Sequence, residues 1–305
     1  MNAKSSLILA GAALATSVLA VAPASGADRV LATAPPLTSL TPVDAHGGNI
    51  VWGQSVGGGP REYFVRDAGG RRPFLPGMSP SDLDLGARRG GGTQAVFTGA
   101  AGFGDQLFSY DFRSGATREL SSLTRPRGFE TSPSVWEGRF AFVRVDEFDE
   151  PVALARDVGL FVTGPLRRVT RVPAVSTELR GPRIAYITHR NQTTALYVAT
   201  LARGRIRSCF IARATSSSGS GPKVALSNPA LTGANVYWLR KDARAPAPTI
   251  RRRRLPGRGC RSRGREERSR EVSGMESFAV EGRRFFYTTP TQVREATDPR
   301  LAFTR

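Results

Sequence analysis

Short runs of large apolar residues recur down the chain, each opened by a turn that carries glycine, asparagine, aspartate or proline. Six copies stand out: His46–Trp52, Gly91–Phe97, Trp136–Phe142, Arg180–Tyr186, Thr232–Trp238 and Glu281–Tyr287. Taking the first apolar residue of each run as an anchor gives Ile50, Ala95, Phe140, Ile184, Val236 and Phe285, spaced by 45, 45, 44, 52 and 49 residues. A second apolar run follows most anchors, as in Tyr63–Val65, Leu107–Tyr110, Leu160–Val162, Leu196–Val198 and, weakly, Thr249–Ile250. A third, more polar run follows at Arg72–Leu75, Arg118–Leu120, Leu166–Val169 and Arg205–Cys209. Runs of this length, rich in Val, Ile, Phe, Tyr and Trp and bounded by turn residues, are strands joined by hairpins. No stretch of the chain after residue 27 keeps a helical period with good caps.

A unit of about 45 residues holding three or four strands is the size of one propeller blade. The pattern therefore predicts an all-β, six-bladed β-propeller over residues 28–305. A ring of blades must seal its first blade to its last, or a sheet edge stays open to other chains. The last repeat supplies Ser277–Val280, Arg284–Tyr287 and Arg300–Thr304 and then stops. The segment around Val30–Thr33 is expected to complete it as a fourth strand.

The third repeat reads Ser132-Pro-Ser-Val-Trp-Glu-Gly-Arg-Phe-Ala-Phe-Val143, then Gly159–Val162, then Arg167–Thr170. It resembles the repeat of TolB-type propellers, which runs Ser-Pro-Asp-Gly-x-x-Ile-Ala-Phe, then Ile-Tyr-Val, then Arg-x-Leu-Thr. The other five copies are looser, the aspartate of Pro-Asp-Gly is missing from all six, and the α/β domain that precedes the TolB propeller is absent. The resemblance implies the architecture of residues 28–305. Propellers carry many unrelated functions, so it implies little about role.

The amino terminus adds a compartment. A short polar start with Lys4 leads into the uncharged apolar run Leu7–Ala22, followed by Pro23–Ala27. This is the three-part layout of a secretory signal peptide, with cleavage before Asp28 or at a second small-residue position near Ala22 and Ala24. Residues 1–27 are read as that signal. The run falls short of the ~20 residues that span a bilayer, and no later segment is apolar enough to do so. In an exported protein, Cys209 and Cys260 are most simply one disulfide. Cys260 lies in an arginine-rich run, so the bond would fold that run back onto the fourth repeat.

Charge raises the question of partners. The chain carries 44 Lys+Arg against 25 Asp+Glu, a net +19, and only Lys4, Lys223 and Lys241 are lysines. Arg251, Arg252, Arg253 and Arg254 are consecutive, and six more arginines follow by Arg270. Clustered arginine grips phosphate or carboxylate polymers. A solvated, partly disordered loop interrupting the fifth blade fits the same run. Stacking aromatics are missing from it, which argues against single-stranded nucleic acid, and outside the cytoplasm genomic DNA is not a partner.

Catalytic chemistry is thin. There is no Gly-x-Ser-x-Gly, and His46 and His189 are the two histidines, each read as a turn residue. No zinc-ligand spacing occurs. Asp146, Glu147, Asp149 and Glu150 are the best metal candidate, yet a solvated hairpin tip explains them too. No cofactor is expected. The leading expectation is an exported, non-enzymatic module that holds a protein or peptide partner of the cell envelope. The alternatives are a propeller enzyme acting on extracellular glycans or lactones, and a binder of anionic envelope polymers through Arg251–Arg254. An enzyme would place convergent acids, His or Arg in the central channel. A scaffold would place few perturbed carboxylates there, and aromatics or arginines around one rim.

Overall fold

The computed structural model describes residues 28–297 and Phe303, apart from 76–77, 102–103, 124–127, 147–158, 164–165, 173, 203–204, 217–223, 246, 257–259 and 261–262. Strand β1 (Arg29–Thr33) comes first. Blade one holds β2 (Thr38–His46), β3 (Asn49–Val56), β4 (Glu62–Asp67) and β5 (Gly70–Phe74). Blade two holds β6 (Leu83–Ala87), β7 (Thr93–Ala101), β8 (Gly104–Asp111) and β9 (Ala116–Glu119). Blade three holds β10 (Gly128–Trp136), β11 (Arg139–Asp146), β12 (Gly159–Val162) and β13 (Arg167–Thr170). Blade four holds β14 (Ala174–Arg180), β15 (Arg183–Arg190), β16 (Thr193–Ala202) and β17 (Arg205–Thr215). Blade five holds β18 (Val224–Leu231), β19 (Asn235–Asp242), β20 (Thr249–Arg254) and β21 (Arg263–Arg268). Blade six is ordered β22 (Ser277–Glu281), β23 (Arg284–Thr288), β24 (Gln292–Thr297) and then β1, which pairs antiparallel with β24.

The first strands of the blades form a closed ring. Strand β2 meets β6, β6 meets β10, and so on through β14, β18 and β22, which returns to β2. The protein is a six-bladed β-propeller. Each seam between blades is filled by one apolar cluster. Trp52 and Phe286 pack between blades six and one. Trp238 packs with Val198 between blades four and five. Phe142, Phe161 and Leu107 meet between blades two and three. The anchor strands β3, β7, β11, β15, β19 and β23 are thus buried on both faces, which is why they read as near-continuous apolar runs rather than alternating ones.

The innermost strands carry prolines that a central strand would not accept. Pro42, Pro133 and Pro229 sit where the registers of β2, β10 and β18 shift by a bulge. An inner strand is a sheet edge, so a residue without an N–H is tolerated there.

Two expectations differ from the structure. The third strand of blade six is Gln292–Thr297, not Arg300–Thr304, most of which lies outside the described residues. Its polar look hid it, although Val293 and Ala296 are buried. Arg251–Arg254 form most of β20 rather than a loop. They pair with β19 on one side and β21 on the other. Glu147, Asp149 and Glu150 lie outside the described residues.

Cys209 on β17 and Cys260 are bonded, with Cα atoms 5.5 Å apart and 51 residues between them in sequence. The bond ties the rim of blade four to the segment joining β20 and β21, and Cys260 is buried with Leu255 in the cluster between those blades. Closing a loop of that length is worth about 4 kcal/mol by chain entropy. Replacing both cysteines by serine is expected to lower unfolding free energy by about 2–4 kcal/mol in denaturant titration. Reductant should then leave the variant's midpoint unchanged while lowering the wild-type one.

Candidate functional site

The anchor residues pair across their hairpins with Ala45, Leu85, Val135, Leu179, Leu231 and Val280. These partners index the inner strands. The residue before each is Asp44, Asp84, Ser134, Glu178, Ala230 or Ala279. The residue after each is His46, Gly86, Trp136, Arg180, Thr232 or Glu281. The propeller's rotational repeat stacks these positions as two rings around the axis, the second one step nearer the hairpin turns. The axial cavity has about 140 Å³ of space open to water. At ~30 Å³ per water that is room for roughly four or five molecules.

The deeper ring contains three acids. Two of them accept a hydrogen bond from the backbone N–H of the indexing residue one blade on. Asp44 accepts from Leu85 N. Asp84 Oδ2 accepts from Val135 N at 2.8 Å. Glu178, on the inner strand next but one, lines the same channel. Asp82 adds a second bond across the same seam as Asp84, from Ser132 N at 3.0 Å. An inner strand has no neighbour on its axial side, so its outward N–H groups need acceptors in a channel too narrow to hydrate them all. Short acidic side chains from the preceding blade supply them.

Burial dominates the titration of these acids. Asp44 and Glu178 keep part of their surface open to channel water, yet burial pushes them up to about 6 and about 8 respectively. Asp84, 6% exposed, is pushed far above the carboxylate range, first by burial and then by the charges of Asp44 and Glu178. The Arg180 guanidinium pulls Asp44 and Glu178 back down. Among the described residues no group of three acidic, His or Cys side chains is arranged to hold a metal ion.

The upper ring is the channel mouth. Trp136 is half-buried, with the His46 ring edge-on at 5.3 Å and the Arg180 guanidinium 5.0 Å from its ring centre. His46 belongs to blade one and Trp136 to blade three, and between them blade two offers Gly86. A Cβ there would lie 1.8 Å from Val135 O. Only glycine permits this close approach of blades two and three. Burial, then the Arg180 charge, lowers the His46 pKa, so the imidazole is neutral at pH 7. Arg180 also donates to Leu231 O at 2.9 Å. Glu281 closes the mouth toward blade one by accepting from Gly48 N at 3.3 Å.

Other expected site residues fall elsewhere. His189 sits at the far end of β15, its Nε2 2.5 Å from Asn191 O. Arg251 and Arg253 flank Glu266 at 3.1 and 3.8 Å, and Arg252 meets Glu267 at 2.6 Å. Arg252 also stacks on Phe303, 4.3 Å from its ring centre. Arg254 is exposed at the end of the strand. Sequence reading missed Asp44, Asp84, Glu178 and Arg180. The signal was available: in five of six repeats the ring residue lies six positions before the anchor, and blade two differs by its longer turn.

No family model matches the chain, and none of the curated proteins matches it in sequence. Among solved structures, 178 chains match, which makes the architecture a common one. A chain of the nidogen/laminin complex aligns at TM-score 0.50 with 10% identity, over 83% of this chain and 85% of that one. The tricorn protease aligns at TM-score 0.54 with 11% identity, over 89% of this chain, which spans only 26% of the tricorn chain. TolB from Acinetobacter baumannii aligns at 0.48 with 11% identity, over 82% of this chain and 64% of that one. At such identities the likeness establishes the fold alone, and the TolB match adds nothing to the repeat resemblance.

The ring acids give a pH prediction. A carboxyl whose folded pKa is raised contributes stability that is complete below its unfolded value, near 4, and is lost as pH rises through the folded value. For Asp44 and Glu178 that window ends near 6 and 8. The melting temperature is expected to fall as pH is raised from 5 to 9, and to fall less steeply in the Asp44→Asn/Glu178→Gln variant. Equal slopes in the two proteins would contradict the assignment.

Proposed function

We propose that this chain is an exported, non-enzymatic propeller that holds a protein or peptide partner at the cell envelope, with the channel mouth as its recognition surface. The observation that carries the reading is the pairing of Trp136 with Arg180 and His46 at the opening of a channel whose Asp44 and Asp84 are already bonded to backbone. Rigid aromatic and arginine side chains at a concave site are the usual energetic anchors of protein interfaces. The channel contains three strongly perturbed acids converging with Arg180 and His46, which is what the enzyme alternative predicts and the scaffold reading does not. The N–H partners of Asp44 and Asp84 give those two a structural task, and 140 Å³ is well below the ~300 Å³ at which small-molecule pockets begin. Export is supported by the layout of residues 1–27 and by the disulfide, a bond of oxidising compartments. No helix among the described residues is long and apolar enough to cross a membrane. The anionic-polymer reading is less favoured, because three of the four arginines face Glu266 or Glu267.

The test is capture from envelope extract. Wild-type protein should retain one protein partner at low and high salt, and so should a variant with Arg251–Arg254 changed to glutamine. Trp136→Ala, checked for an unchanged melting curve, should lose at least tenfold in affinity. Capture that ignores Trp136, or turnover of wall glycans, would reject the reading. Mass spectrometry of the exported protein should give Asp28 as the first residue.

A further inference from the structure

The perimeter of blade four differs from the others. Its outermost strand β17 runs 11 residues, while β5, β9, β13, β21 and β1 run 5, 4, 4, 6 and 5. Among the described residues no strand pairs with the outer edge of β17, and long free edges are what soluble proteins avoid, because unpaired N–H and C=O groups recruit further strands. On the side of blade three, Tyr197 packs against the apolar cluster between blades three and four. Phe210 is left 54% exposed on that face, edge-on to Tyr197 at 5.9 Å. Arg205, Arg207 and Arg213 are exposed along the same strand.

We infer that the edge of β17 is a docking strand for an extended, acidic segment of a partner protein, which adds to blade four as a fifth strand and seats an apolar side chain against Phe210. The inference rests on the reading of the chain as a protein-binding propeller and names a second surface for it. Strand addition takes its affinity from main-chain hydrogen bonds and its specificity from alternate side chains. Three arginines select the charge of the incoming strand. They also disfavour a second copy of this chain, since edge-to-edge pairing of two β17 strands would bring like charges together. The three arginines have no carboxylate within ion-pair reach among the described residues, unlike those of β20.

The probe is a ten-residue peptide alternating glutamate with valine and threonine, compared with its lysine counterpart and with an equally charged peptide carrying proline at every third position. Amide exchange should show new protection confined to 205–215 with the glutamate peptide only. Arg205→Glu/Arg207→Glu/Arg213→Glu should weaken binding at least tenfold, and the single Arg213→Glu should weaken it less. Trp136→Ala should leave it unchanged. Equal binding of the proline peptide would mean charge attraction without a strand, and would overturn the inference. So would protection that falls on 251–254. Loss of partner capture in Trp136→Ala alongside a silent β17 would leave the mouth reading standing and this one refuted.

Discussion

The structure turns on one constraint: each blade's innermost strand is a sheet edge facing an axis too narrow to hydrate it. Six such edges converge on a space for a handful of waters. Their outward backbone groups must be met by side chains or left unsatisfied at real cost. At two seams the preceding blade meets them with a carboxylate: Asp44 to Leu85 and Asp84 to Val135. Between blades six and one Ser277 does the same for Val43 N at 3.1 Å. Between blades three and four Thr177 reaches Ser132 O at 2.6 Å and Ser134 Oγ at 3.2 Å. Between blades five and six the ring positions are Ala230 and Ala279, and there the seam leans on Tyr237, Phe278 and Phe285 instead. Packing of apolar faces stacks the blades. The polar bonds fix their rotation about the axis.

The same logic accounts for several of the arginines. An arginine that donates to a carbonyl needs no acidic partner. Arg61 reaches Ser81 O in the next blade, Arg66 reaches Leu31 O in β1, and Arg167 reaches Ala202 O. Arg183, 6% exposed, reaches Gly233 O and Pro256 O. Each of these bonds crosses a seam and caps a backbone acceptor. A chain using guanidinium groups this way accumulates positive charge without matching acids, which a net +19 reflects. Arginine suits the task, because its planar fork is pre-organised and less strongly hydrated than an ammonium. Around Arg251–Arg254 the pattern is different. There the arginines meet Glu266 and Glu267 across neighbouring strands, and charge that looks solvated in sequence is paired in space.

The anchors were legible because strands buried on both faces must be apolar from end to end, and nothing in a repeat looks like them. The disulfide was legible from a count of two cysteines. The inner strands were not, because Pro42, Pro133 and Pro229 interrupt them and their exposed edge admits acids. Asp44, Asp84 and Glu178 sit 40 and 94 residues apart in sequence. They become one cluster only when rotation about an axis brings the same repeat position together. Residues 292–297 were passed over for the opposite reason: a rim strand is half-exposed, so its apolar content is low. Charge misled at β20, where four arginines outweighed Ile250 in the reading although Ile250 sets the strand's buried face.

If carboxylates of one blade hold the backbone of the next, removing one should loosen a single named amide. The most direct measurement is native-state hydrogen exchange at Val135 N–H in wild type and in Asp84→Ala. The account predicts that exchange there accelerates at least tenfold, while Val43 N–H, held by Ser277, keeps its protection. Unchanged exchange at Val135, or an equal acceleration at both amides, would contradict it.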